Sequence, residues 1–153
     1  MKSTPLKSAP LKSAPLKPRL IACHHSVCLL PMWVRLWVLG ILIPVNAAPF
    51  WFLDTSVGQA GAAAALFVVA ANASILLVQR GISALMALPH LIVWIPLTGW
   101  LAARLLFDAT LTGSEAYLAM TLVAVNGISL VFDTIDGVRW LCGQRGVLGR
   151  ATP

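Results

Sequence analysis

Long apolar runs, broken by short polar ones and without strict alternation, organise most of this chain. They cover roughly 34–53 (VRLWVLGILIPVNAAPFWFL), 60–78, 83–103 and 116–132, with DTSVGQ, QRGIS and FDATLTGSE between them. Each run is close to the length that a helix rising about 1.5 Å per residue needs to cross roughly 30 Å of hydrocarbon. Backbone groups in lipid must be bonded within the segment, so runs of this kind read as helices rather than barrel strands. The expected fold is all-α: an integral-membrane, four-helix antiparallel bundle over residues 32–142, with connections too short for a further domain.

Composition agrees, with 59% hydrophobic and 10% charged residues and a mean hydropathy of +0.86. Lys and Arg beside short spans are retained on the cytoplasmic side. With the N-terminus inside, Lys2, Lys7, Lys12, Lys17, Arg19, Arg35, Arg80, Arg139, Arg145 and Arg150 fall inside and only Arg104 outside, which predicts an N-in, C-in topology. The same distribution accounts for the net charge of +6, so the basicity is not read as a nucleic-acid footprint. Trp33, Trp37 and Trp140 fall near the inner interface and Trp51, Trp100 and Tyr117 near the outer one, where amphipathic rings belong. Trp94 alone sits near mid-span.

Residues 1–31 are of another kind. KSTPLKSAPLKSAPLKP repeats a five-residue unit, and its regular prolines oppose helix and strand, so the segment is expected to be a disordered tail. Met32 looks like a natural start, which makes this tail a candidate upstream extension. Cys23, His24, His25 and Cys28 are natural zinc ligand types, but their spacing is poor and no second Cys/His pair follows, so no metal site is assigned. A solvated tail is the preferred reading. At the other end, Ile135, Val138 and Leu141 continue a helical spacing expected to lie along the inner interface, and 143–153 is expected to be a flexible tail.

Helix 2 carries AGAAAALFVVAANAS, a small-residue surface that lets neighbouring backbones approach. Packing inside the bundle is its preferred use; a homo-oligomer seam through Gly61–Ala65 and Ala70–Ser74, or a membrane-protein partner, is the alternative. Pro44, Pro49, Pro89 and Pro96 are expected to bend helices 1 and 3. Candidate ion pairs at the bundle ends join Arg104 with Asp108 or Glu115, and Asp133 with Arg80. Asp136 and Arg139 offer another pair.

The candidate functional layer lies within the spans. Asn72, His90 and Asn126 fall about 3–5 Å from the midplane, on stripes expected to face inward because polar groups in lipid need partners. An Asn72–His90–Asn126 contact layer is therefore expected, with Asn46 nearby. Two amides can satisfy a neutral imidazole, so a structural node is preferred over a proton relay.

VRLWVLGILIPVN, LMALPHLIVWIPL and GISLVFDTIDGVRWLCG together resemble small bacterial inner-membrane proteins of four helices, in which an L-P-H motif opens the third span. The resemblance covers roughly 32–142 and implies cellular context alone, since that group has no assigned activity. Catalytic classes fail on their requirements: helix 1 lacks the carboxylate of a small multidrug exporter and offers only Asn46. No cysteine faces the periplasm for disulfide chemistry, and His90 is the single spanning histidine where di-haem proteins need pairs. The aspartate array of a CDP-alcohol transferase is missing, and Ser129 with His90 makes no recognisable protease site. No catalytic residue and no cofactor is expected. The lipid bilayer is the one partner composition demands. A non-catalytic accessory or assembly subunit is the first expectation, and a small transporter or proton-conducting element built around His90 the second.

Overall fold

A computed structural model describes residues 16–111 and 113–148, and every regular element among them is helical. We number five: α1 (Leu16–Cys28), α2 (Met32–Trp51), α3 (Ser56–Gln79), α4 (Ala87–Phe107, entered through a 3₁₀ turn at Ala84–Met86) and α5 (Gly113–Leu141). The last four are long and apolar enough to cross a membrane, with mean hydropathies of 1.4, 2.2, 1.6 and 1.8.

Helix α2 is continuous but irregular. Pro44 has no N–H to give the carbonyl four residues back, and its ring crowds that position. The backbone widens there into a π turn over Val38–Leu42, then tightens to a 3₁₀ turn at Ala48–Trp51, which contains Pro49. Chain reversal after it is fixed by Thr55, whose hydroxyl donates to the Phe52 carbonyl at 2.9 Å and accepts from Gly58 N at 3.0 Å. This is an N-cap that satisfies one of the free amides opening α3. Helix α3 ends at Arg80 in the left-handed conformation, φ 57°.

Close approach is the work of the small residues in α3. A Cβ on Gly58 would lie 1.8 Å from the Phe52 carbonyl oxygen, and one on Gly61 would meet the Pro49 ring at 2.8 Å. Gly61 and Ala65 are thus consumed inside the chain, whereas Ala70 and Ser74 face outward. The packed core joins Val57, Ala64 and Val68 of α3 to Trp94, Leu97 and Leu101 of α4 and Leu118, Ala119 and Leu122 of α5.

Three expectations need correction. The run after residue 132 is no separate interfacial helix: it continues α5 without a break to Leu141, and α4 packs closely on it at Gly137, where a Cβ would meet Leu91 at 2.8 Å. Part of the expected disordered tail is helix. The regular proline repeat stops at residue 15, and α1 follows and docks, burying Cys23 and Ser26. Cys23 Sγ donates to the Leu76 carbonyl at 3.3 Å, so this residue is not solvated as a loose tail would have it. The C-terminal segment is also pinned as far as residue 148. Leu148 N donates to the Ile82 carbonyl at 2.8 Å, and the Ser26 hydroxyl accepts from Ile82 N at 2.9 Å while donating to the Leu148 carbonyl at 3.1 Å. One hydroxyl thus joins α1, the α3–α4 connection and the C-terminal strand-like segment. Residues 1–15 and 149–153 of the two expected tails lie outside the described residues.

Candidate functional site: a carboxylate, imidazole and amide in line

Helix α4 carries its site on one stripe. Pro89 falls in the first turn, where a missing N–H costs no helical bond, and His90, Trp94 and Thr98 follow at intervals of four, one above another. The His90 and Trp94 rings stack at 4.2 Å with 4° between their planes. Trp94 is 2% exposed, so packing fixes its ring, and the ring covers one face of the imidazole.

That stacking leaves the edge of His90 to face its neighbours. Nε2 lies 2.9 Å from the Asn72 amide nitrogen of α3, and Nδ1 lies 3.1 Å from both carboxylate oxygens of Asp133 on α5. A carboxylate in this geometry accepts, so Nδ1 carries a hydrogen, and Nε2 accepts from the amide of Asn72. The His90 and Asp133 side chains are each 16% exposed. Three helices thus meet in an Asp133–His90–Asn72 line.

Two sites replace the single layer expected from the sequence. Asn126, fully buried, pairs with Asn46 of α2 in both directions, at 2.8 and 3.2 Å, instead of with His90. Asn46 also donates to the Leu42 carbonyl at 3.0 Å, inside the irregular part of α2. One turn further along α5, Ser129 accepts from the Trp37 indole at 3.3 Å. These contacts tie α2 to α5 and leave His90 to Asp133. The reason is the true length of α5. The run 116–132 is centred on residue 124, whereas α5 is centred on residue 127, which moves Asn126 from the Asp133 side of the centre to the centre itself. Measured from these centres, with the Ala84–Met86 turn counted into α4, Asp133 and His90 lie about 9 and 8 Å away, on the same side. Asp133 is accordingly not the partner of Arg80, whose backbone ends α3.

Buried polar atoms without hydrogen-bond partners cluster around the line. Among the described residues they are Asn72 Oδ1, Trp94 Nε1 and Thr98 Oγ1, with Arg35 Nε elsewhere. Beyond Thr98 the bundle is apolar, since Val57, Leu97, Leu101, Leu118 and Leu122 close it.

A second cluster lies past this septum. Arg104 donates to Asp108 Oδ2 through Nε at 2.9 Å and Nη2 at 2.6 Å, and its Nη1 is 3.8 Å from Glu115 and bonded to Ser56. Glu115 accepts from the Ser56 hydroxyl at 3.2 Å and from Val57 N at 3.1 Å, holding a carboxylate at the positive start of α3. The Asp108 carboxyl is lowered from 3.8 to about 2, first by the Thr110 hydroxyl and then by Arg104. Its arrangement suits stitching of helix ends. At the α1 end, Asp136 and Arg139 form an exposed pair at 3.4 Å, of a kind that contributes little.

Among the described residues no group of three or more His, Cys, Asp or Glu is placed to hold a metal ion. Cys28 Sγ sits 3.9 Å from the His24 ring, while Cys23 turns the other way into the bundle. No protein-family model, curated protein or solved structure matches the chain.

Proposed function

We propose that the chain is a small proton-linked membrane protein, a transporter or proton-conducting element, that takes up and releases one proton at Asp133–His90–Asn72. The observation that carries this reading is the Asp133 carboxylate 3.1 Å from His90 Nδ1, with an amide at the other ring nitrogen. Ionisable groups inside spans are costly, and by default they mark proton or substrate pathways. Without the extra proton the line holds one negative charge. With it, imidazolium faces carboxylate and the site is neutral. Nε2–H then needs an acceptor, and a half-turn of the Asn72 amide supplies Oδ1, the end that lacks a partner here. Either amide orientation leaves one end over, so the two states differ chiefly in charge, which matters most in a low-dielectric setting.

Access from one side at a time fits a proton-linked transporter, and the apolar septum closes the path toward Arg104. Antiparallel packing with both termini cytoplasmic, in a bacterial inner membrane, belongs to the same proposal and rests on the Lys and Arg distribution and on the resemblance noted above. The septum also favours a second reading, a non-catalytic accessory subunit in which the line serves as interhelical glue. Purified protein in liposomes enclosing a pH-reporting dye separates the two. Proton flux lost in both His90→Gln and Asp133→Asn supports the first. Flux absent from the unaltered protein, together with co-purification of a stoichiometric larger partner, replaces it with the second.

A further inference from the structure

Helix α2 carries a second feature that the His90 site does not use. Met32, Arg35, Leu36, Leu39 and Gly40 line a groove of about 380 Å³ on one face of the helix. Three causes shape it. The π turn from Val38 widens the backbone, Gly40 contributes no side chain and nothing stands within 4 Å of where its Cβ would be, and Met32, Leu36 and Leu39 are exposed walls. Arg35 lines it as well, and its Nε is buried with no hydrogen-bond partner. A buried N–H left unbonded is expensive, the more so on a charged group.

No carboxylate answers that charge among the described residues. The start of α2 packs near α5 through Trp33 and Phe132, whose rings are 6.1 Å apart. The acidic side chains on that stretch of α5 are already engaged, Asp133 by His90 and Asp136 by Arg139. A guanidinium without a carboxylate partner beside an apolar trough, on a helix apolar enough to span a membrane, has the charge pattern of one phospholipid. The phosphate accepts from the outer nitrogens of the Arg35 guanidinium, since Nε is shielded, and the first part of an acyl chain lies along Leu36, Leu39 and Gly40, from about 1.5 to 7.5 Å deeper by helical rise. Arg suits phosphate because its planar fork gives directed hydrogen bonds.

We propose that this groove is a binding site for an anionic phospholipid. Its occupant is a lipid rather than a free anion or a second copy of the chain, because the site joins one cationic donor to an apolar trough. The full chain, purified in detergent, is mixed with phosphatidylglycerol or phosphatidylcholine and examined by native mass spectrometry. An about fivefold preference for the anionic lipid is expected, the factor that one basic residue near an anionic surface contributes. Arg35→Gln should lose the preference. Gly40→Leu should lose the retained lipid with the charge intact, because the new side chain fills the trough. Arg145→Gln, at an exposed arginine over Trp140, should change nothing. Equal loss from Arg145→Gln would mean diffuse attraction and overturn the site. So would displacement of the lipid by inorganic phosphate alone, or a dimer that Gly40→Leu dissociates while lipid retention is unchanged.

Discussion

At the scale of single residues, the bundle separates its polar groups by chemistry. Asn46 and Asn126 satisfy each other as neutral amides, and the Asp133 carboxylate is set beside His90. A double-mutant cycle on Asn46→Ala and Asn126→Ala should give a coupling of about 0.6–1.7 kcal/mol, the range for hydrogen bonds between membrane helices; unfolding in detergent measures it, and zero coupling would mean the pair is not formed. Asp108 supplies a pH test at the other end. A folded-state value below the ordinary one means that the carboxylate contributes fully above pH 3.8 and loses its contribution as the pH falls toward about 2. Thermal unfolding across that window should show a loss that Asp108→Asn no longer shows. Asn72 and His90, with their contact, were legible because polar side chains in spans are few. The place of Asp133 beside them was not, because it depends on where α5 ends. Nine residues of helix separate the two answers, and the sequence marks no break between Phe132 and Leu141.

Element by element, the spans were the most readable part. Apolar length alone defines them, and the α3 boundaries moved by only a few residues outward. The irregularity of α2 was readable in kind, since Pro44 and Pro49 demand a departure from α geometry, but whether the backbone widens or tightens depends on neighbours. Around Pro44 it widens, and at Pro49 it tightens against Gly61. The seam between α2 and α3 makes the sharpest demand on composition. Gly58→Ala places a methyl 1.8 Å from a backbone oxygen in the turn that carries the Thr55 cap. Nothing flexible can yield there. The expected loss is about 3 kcal/mol, the upper end for overpacking, read as a lowered unfolding midpoint. Ala63→Gly, at an exposed α3 position, should cost only about 1 kcal/mol, and equal losses from the two would refute the contact.

For the whole molecule, the question is how the ends are closed. At one end Glu115 and Arg104 gather the starts and finishes of α3, α4 and α5; at the other, Ser26 gathers α1, the α3–α4 connection and the segment reaching Leu148. The second junction was invisible in the sequence because it consists of one thiol, one hydroxyl and a few backbone groups, none of which forms a pattern. The three cysteines report on it directly. Cys23 is 5% exposed and bonded to Leu76, whereas Cys28 and Cys142 are exposed. A maleimide should therefore modify Cys28 and Cys142 quickly and Cys23 only as the junction opens, since thiol reactivity requires access. Ser26→Ala removes the hydroxyl that holds Ile82 and Leu148, and should speed the slow class alone. In sealed, right-side-out vesicles, a membrane-impermeant maleimide also tests the proposed topology. Cys28 and Cys142 lie before the first span and after the last, so they should be protected together and become reactive together on permeabilisation. Labelling of one without the other would place the termini on opposite sides and remove the even number of crossings on which the bundle depends.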